Sequence, residues 1–219
     1  MMASADSIRQ SLRDAADPAI APGQQAYMKS AMPFLGVRVP EVRRIVRLTL
    51  RGASDREELL TLARELWDPA THREERYAAL AVLGVRALKA DPALVPHVEH
   101  MVRTGRWWDY TDELAHRLAD LHDARPGETA VLARRWSIDD DFWIRRIAIL
   151  SQLGRRDRVD PDLLAEVIRP NLHDGEFFIR KAIGWALREY ARVQPDWVRT
   201  FADAHDLSPL SRREALKHL

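Results

Sequence analysis

Asp141-Phe142-Trp143-Ile144-Arg145-Arg146 and Glu176-Phe177-Phe178-Ile179-Arg180-Lys181 match in kind at six consecutive positions, 35 residues apart. An acid, two aromatics, an isoleucine and two cations return in the same order. Another step of 35 back lands on Arg106-Trp107-Trp108, so an aromatic pair recurs at 107–108, 142–143 and 177–178. One step further, Arg76 takes the place of Arg146 and Lys181, and Thr111 fills that place in the unit between. A period of this length is two helices and two turns, the size of a helical-hairpin repeat.

The flanking sequence agrees with helices throughout, and no run shows the period-two alternation of a strand. Prolines 22, 40, 92, 126, 161 and 195 each precede a periodic apolar segment, where a missing N–H costs little because first-turn donors are unpaired anyway. Ser54 with Glu57, Thr71 with Glu74 and Ser211 with Glu214 have capping-box spacing. These signals predict helices over 5–16, 22–31, 39–51, 55–67, 71–88, 92–103, 107–122, 126–136, 139–153, 160–169, 175–191, 195–204 and 209–217. A single hairpin cannot bury its apolar face, so repeats of the HEAT or TPR kind stack into one continuous core with a concave surface. The expected fold is therefore all-α, a curved α-solenoid of HEAT-like helical hairpin repeats. No linker or charge block interrupts it, so one domain over 1–219 is expected.

Composition narrows the function. With no cysteine, disulfides, thiolate metal sites and a cysteine nucleophile are excluded, and the chain suits a reducing cytoplasm. Residues 1–13 lack a basic segment followed by an apolar run, and no stretch approaches the ~20 apolar residues of a membrane span, so a soluble, cytoplasmic protein is expected. Thirty-four Lys and Arg against 33 Asp and Glu leave a net charge of +1, a poor global signature for a nucleic-acid binder. The cations are nearly all arginine, however, whose planar fork suits phosphate. His97 and His100 stand at helical spacing without a further ligand set, and no metal is expected. No phosphate-binding Gly loop and no G-x-S-x-G elbow occurs.

One constellation could carry chemistry. Trp108 and Asp112 lie four residues apart on one helix, hence on one face a turn apart. Arg146 belongs to the early turn of the next repeat, Lys181 to the one after, and Trp185 follows Lys181 by four. At a 35-residue step the equivalents of Trp185 are Leu80, Ala115 and Leu150, and those of Asp112 are Tyr77, Ile147 and Ala182. An indole and a carboxylate thus stand where their relatives are mostly small or apolar. A carboxylate in such a place is solvated, paired or functional. Trp67, Trp136 and Trp197 read as packing residues.

The sequence resembles the AlkD-type DNA alkylation-repair glycosylases, which are built from HEAT-like repeats. The likeness rests on Gln25-Ala26-Tyr27-Met28-Lys29, Pro33-Phe34-Leu35-Gly36, Trp107-Trp108-Asp109 with Asp112, Trp143-Ile144-Arg145-Arg146, Phe177 through Trp185, and Leu207 through Lys217. It implies a monofunctional glycosylase that removes cationic N3- or N7-alkylated purines from double-stranded DNA held in the concave face, without a deep base-flipping pocket. By position it implies Trp108, Asp112, Arg146 and Trp185 as active-site residues. Tyr27, Arg43, Arg145, Arg180, Lys181, Arg212 and Arg213 are the candidate DNA contacts. No cofactor and no membrane partner is implied, and a monomer is expected. Two other readings stay open: a non-catalytic repeat scaffold for DNA structures or a protein partner, and a hydrolase using Asp112 on another substrate.

Overall fold

The computed structural model describes residues 4–219, and its regular structure is thirteen α-helices and three 3₁₀ turns, with no strand among the described residues. The all-α repeat architecture expected from the sequence is what it shows. The chain divides into two compact units, the first ending at Lys89 and the second running Ala90–Leu219.

The first unit contains α1 (Ala5–Asp14), α2 (Ala21–Met28), α3 (Val39–Thr49), α4 (Arg56–Trp67) and α5 (Arg73–Leu83). Helices α4 and α5 form a hairpin, and α1 and α3 pack on α5. Their inner faces bury Ile8, Leu12, Val42, Val46, Leu66 and Ala79. Trp67 is fully buried among them, as a packing residue should be.

The second unit contains α6 (Leu94–Gly105), α7 (Trp108–Ala124), α8 (Pro126–Trp136), α9 (Phe142–Ile149), α10 (Pro161–Ile168), α11 (Phe177–Ala191), α12 (Pro195–Ala204) and α13 (Pro209–Ala215). Helices pair in chain order as α6–α7 and α8–α9, and α9 packs against both α7 and α11. That succession of second helices, α7, α9 and α11, carries the recurring aromatic and charged motif. Trp136 is fully buried, and Trp197 stacks on Phe201 with ring centroids 5.2 Å apart.

Pro22, Pro40, Pro126, Pro161 and Pro195 stand in the first turn of α2, α3, α8, α10 and α12, while Pro92 lies in the turn before α6. The expected capping boxes are not formed. Asp55, not Ser54, caps α4 by accepting the Glu58 N–H at 2.9 Å. Ser208 caps α13, and Ser211 inside that helix donates to the Arg180 carbonyl. Glu74 turns away from its own helix start to a neighbouring loop, where it accepts the N–H groups of Leu35 and Gly36 at 2.9 Å and Val37 at 3.1 Å. Three converging backbone donors outweigh one cap bond. That loop is tight: Gly36 has φ +91°, and a Cβ there would lie 2.0 Å from the Asp17 carbonyl oxygen.

Two helices are shorter than their periodicity suggests. Helix α5 ends at Leu83 and α9 at Ile149, although Leu88, Leu150 and Leu153 beyond them are buried. Apolar side chains continue inward after the backbone has left the helix.

The repeat register also shifts by one. The extended residues before α7, α9 and α11 are Trp107, Asp141 and Glu176, whose carbonyls accept the N–H groups of Thr111, Arg145 and Arg180. The first interval is therefore one shorter than the second. Counted from these caps, and from His72 before α5, Asp112 is equivalent to Tyr77, Arg146 and Lys181. Thr111 and Arg76 pair with Arg145 and Arg180, and the equivalents of Trp185 become Ala81, His116 and Leu150.

Candidate active site

An aromatic seam fixes the starts of the three helices. Trp107 lies 6.2 Å from Trp143 and 5.8 Å from Phe178, and Trp143 lies 4.9 Å from Phe178, all between ring centroids. Such tilted contacts add to the burial of the rings. Asp141 and Glu176 each cap their helix by accepting the N–H two residues on. With its first turn locked, each helix presents its sixth residue from the cap at a fixed height.

Those positions are Asp112, Arg146 and Lys181. Arg146 on α9 forks onto Asp112 on α7, its Nε and Nη2 each donating at 2.8 Å to one carboxylate oxygen. Its Nη1 donates to the Phe178 carbonyl on α11 at 2.5 Å, so one guanidinium ties together α7, α9 and α11, the second helices of three successive repeats. The side chains are 5% exposed for Arg146 and 13% for Asp112, so the pair is shielded from bulk water. Burial pushes the Asp112 carboxyl above the ordinary carboxylate range, and Asp109 adds to the rise. Arg146 and His116 pull the other way without overcoming burial.

Trp108 opens α7 one turn before Asp112 and is half-buried. Trp185, also half-buried, lies one turn beyond Lys181 on α11. Its neighbour Gly184 lets α13 close on α11, since a Cβ there would meet Glu214 Cβ at 2.5 Å and the Ser211 carbonyl at 2.9 Å. Glu214 in turn holds Lys181 at 3.1 Å and Arg188 at 2.6 Å. These two cations hold its carboxyl below the ordinary range, Lys181 most of all.

The other candidate contacts differ in availability. Arg145 is braced internally by Asp174 at 2.7 Å and Asn171 at 3.0 Å. Arg180, its repeat equivalent, is half-buried, and its Nε finds no hydrogen-bond partner among the described residues. Arg212 donates to Asp203 at 2.6 Å and to the Ala202 carbonyl, and Arg213 is exposed. Tyr27, 77% exposed, and Arg43, on the outer face of α3, belong to the first unit. Sequence spacing missed the Asp112–Arg146 pair because the 35-residue count set Arg146 beside Thr111. Counting from the acidic caps back to Trp107 would have aligned the two.

Among the described residues no group of three or more His, Cys, Asp or Glu could hold a metal ion, and no helix is long and apolar enough to cross a membrane. The arrangement offers a desolvated carboxylate fixed by a guanidinium, with an indole one turn away on the same helix face. It can stabilise positive charge that develops beside it.

Residues 8–219 match the family model described as DNA alkylation repair enzyme. A solved structure titled as a predicted DNA alkylation repair enzyme from Enterococcus faecalis is 29% identical, with a TM-score of 0.84 over 93% of this chain and 96% of that one. AlkD2 from Streptococcus mutans shares the fold at 19% identity, with a TM-score of 0.66 over 84% of this chain and 91% of that one. The smu.31 protein of Streptococcus mutans UA159 does so at 19% and 0.65, over 83% and 92%. No curated protein matches the chain. With a family model spanning all but its first seven residues, the chain belongs to the DNA alkylation repair enzyme family.

Proposed function

We propose that the protein is a monofunctional DNA glycosylase that hydrolyses the N-glycosidic bond of cationic N3- or N7-alkylated purines in duplex DNA. The observation that supports this reading is the buried Asp112 carboxylate, clamped at both oxygens by Arg146 one turn from Trp108. An alkylated purine already carries positive charge, so it leaves readily and needs little acid catalysis. What the reaction demands is a group that stabilises an oxocarbenium-like sugar and directs water to it.

Asp112 supplies that negative charge. The C1′–N9 bond breaks with its electron pair passing to the purine, which departs neutral. Water adds at C1′, and its proton passes to Asp112 and on to solvent. Trp108 and Trp185 bear on the sugar and backbone, where indole faces favour polarised C–H groups and exclude competing water. Arg146 is a positioning residue: three of its donors are spent on Asp112 and Phe178, and it holds the carboxylate rather than a phosphate.

Incubation with a duplex carrying one 7-methylguanine tests the reading. Free base should be released, with strand cleavage only after alkali. A strand nick before alkali, or no release, refutes it. The same duplex opposes the scaffold alternative, which predicts binding without release.

A further inference from the structure

His116 continues the stripe of α7 that begins with Trp108 and Asp112, since 108, 112 and 116 follow one another a turn apart. Leu114, Ala115, Leu118 and Ala119 are buried, while His116 is exposed. In the register counted from the caps it is the α7 counterpart of Trp185, so α7 presents an imidazole at the level where α11 presents its indole. No hydrogen bond, ion pair or ring contact holds that imidazole among the described residues. After burial, Arg146 and Asp109, it is His116 that acts on the Asp112 carboxyl, which sets the two groups within electrostatic reach.

The clamp on Asp112 leaves a proton without a resting place. Each carboxylate oxygen accepts a donor of Arg146 at 2.8 Å, and both side chains are shielded from water. Water that adds at C1′ must shed a proton. Left on Asp112, that proton would neutralise the carboxylate and leave a buried guanidinium without a charged partner, a costly arrangement. A neutral imidazole is a stronger base than a carboxylate and keeps one ring nitrogen free to accept. Cβ atoms one helical turn apart stand ~5–6 Å from each other, and a proton crosses such a gap through one water. Asp120 follows a turn later, so an imidazolium at 116 lies between two acidic positions of the same stripe.

Resting on the glycosylase reading, we propose that His116 is the proton acceptor that returns Asp112 to its ionised form. The oxygen of the adding water bonds C1′ as one of its O–H bonds breaks, and the proton passes to Asp112. Through one bridging water it moves on to a ring nitrogen of His116, and the imidazolium releases it to solvent. Nothing is oxidised or reduced.

The test is single-turnover release of free 7-methylguanine from duplex DNA by His116→Ala, a change to the best helix former at an exposed position. Release should slow roughly 10²-fold, the lower end of what a general base contributes, with affinity for the same duplex unchanged. Imidazole added to the solution should restore much of the rate in this variant and leave the wild type unaffected. His116→Gln keeps a hydrogen-bonding side chain that takes up no proton, and should be as slow as the alanine variant. Because the path runs through Asp112, Asp112→Asn/His116→Ala should be about as slow as Asp112→Asn alone. A wild-type rate in His116→Ala overturns the proposal. So do slow release explained by weaker binding, no response to imidazole, or losses that multiply in the double variant. The two readings fail separately: absence of release by the wild type refutes the glycosylase and this path with it, whereas wild-type release matched by His116→Ala refutes only the path.

Discussion

Arg146 and Asp112 face each other through two parallel hydrogen bonds of 2.8 Å, a fork-to-fork pair between α9 and α7. Burial and pairing act in opposite directions on the carboxyl, and burial prevails. Asp112 is thus a carboxylate kept away from water, held in place, and responsive to a cation brought beside it. A charge so placed needs no reorganisation when the sugar becomes positive.

Asp112→Asn keeps the shape of the side chain and removes its charge, so excision of 7-methylguanine under single-turnover conditions should fall roughly 10²-fold or more. Affinity for the same duplex should change little. Excision at the wild-type rate would remove Asp112 from the mechanism.

Arg146→Ala should cost about 3 kcal/mol of stability in urea unfolding, because it leaves a buried carboxylate without its partner. Excision by any folded variant should also lose its acid limb at higher pH than in the wild type. The sign follows from burial: the Asp112 pKa already lies above the ordinary value, and loss of the guanidinium raises it further. An acid limb that stays where it is in the wild type would show that Arg146 does not hold the carboxylate in its ionised form.

Much of this was legible in the sequence, for identifiable reasons. Helix starts were readable because a proline in the first turn marks them in α2, α3, α8, α10 and α12. Trp108, Asp112, Arg146 and Trp185 could be placed on second helices of neighbouring repeats from periodicity alone. The clamp between Asp112 and Arg146 could not, since a one-residue difference in repeat length hides it from a fixed count. Glu74 was misread because sequence shows a local partner and conceals the loop at Leu35–Val37 that competes for it.

Glu74→Gln tests that competition. One carboxylate oxygen becomes an amide NH₂ that faces backbone donors, so at least one of three charge-assisted bonds is replaced by a donor–donor clash. The expected loss is about 2–3 kcal/mol in urea unfolding. Amide exchange should accelerate at Leu35–Val37 first. Unaltered stability would mean that water or a rearranged loop satisfies those donors equally well.

Gly184→Ala places a methyl group against Glu214 Cβ and the Ser211 carbonyl, both parts of α13. Overpacking of this kind costs typically ~1–3 kcal/mol. Because α13 carries Glu214, the strain should also loosen the Lys181–Glu214 pair. Hydrogen exchange localised to α13 measures the effect; protection equal to the wild type would show that the close approach of α11 and α13 has room to relax.

His122 sets the pH dependence of stability between the ordinary histidine and carboxylate ranges. The residue is 2% exposed, and its Nε2 has no hydrogen-bond partner among the described residues. Burial, followed by the nearby Arg155, pushes its pKa down to about 4. The unfolded chain binds a proton near 6.5 and the folded chain only near 4, so stability is full above pH 6.5 and drains as pH falls towards 4. The span corresponds to about 3 kcal/mol. Asp139, held low chiefly by Arg103, loses its contribution only below its ordinary pKa of 3.8, beneath this window, whereas Glu214 begins to do so near 4.5; both are the same in His122→Leu, so the comparison of the two proteins isolates His122. Urea midpoints measured at pH 7.5 and 4.5 should therefore differ strongly in the wild type and much less in His122→Leu, which fills a similar volume without a titrating group. If the two proteins lose stability equally over this interval, His122 is protonated in the folded state, and its neighbours must rearrange to hold the charge.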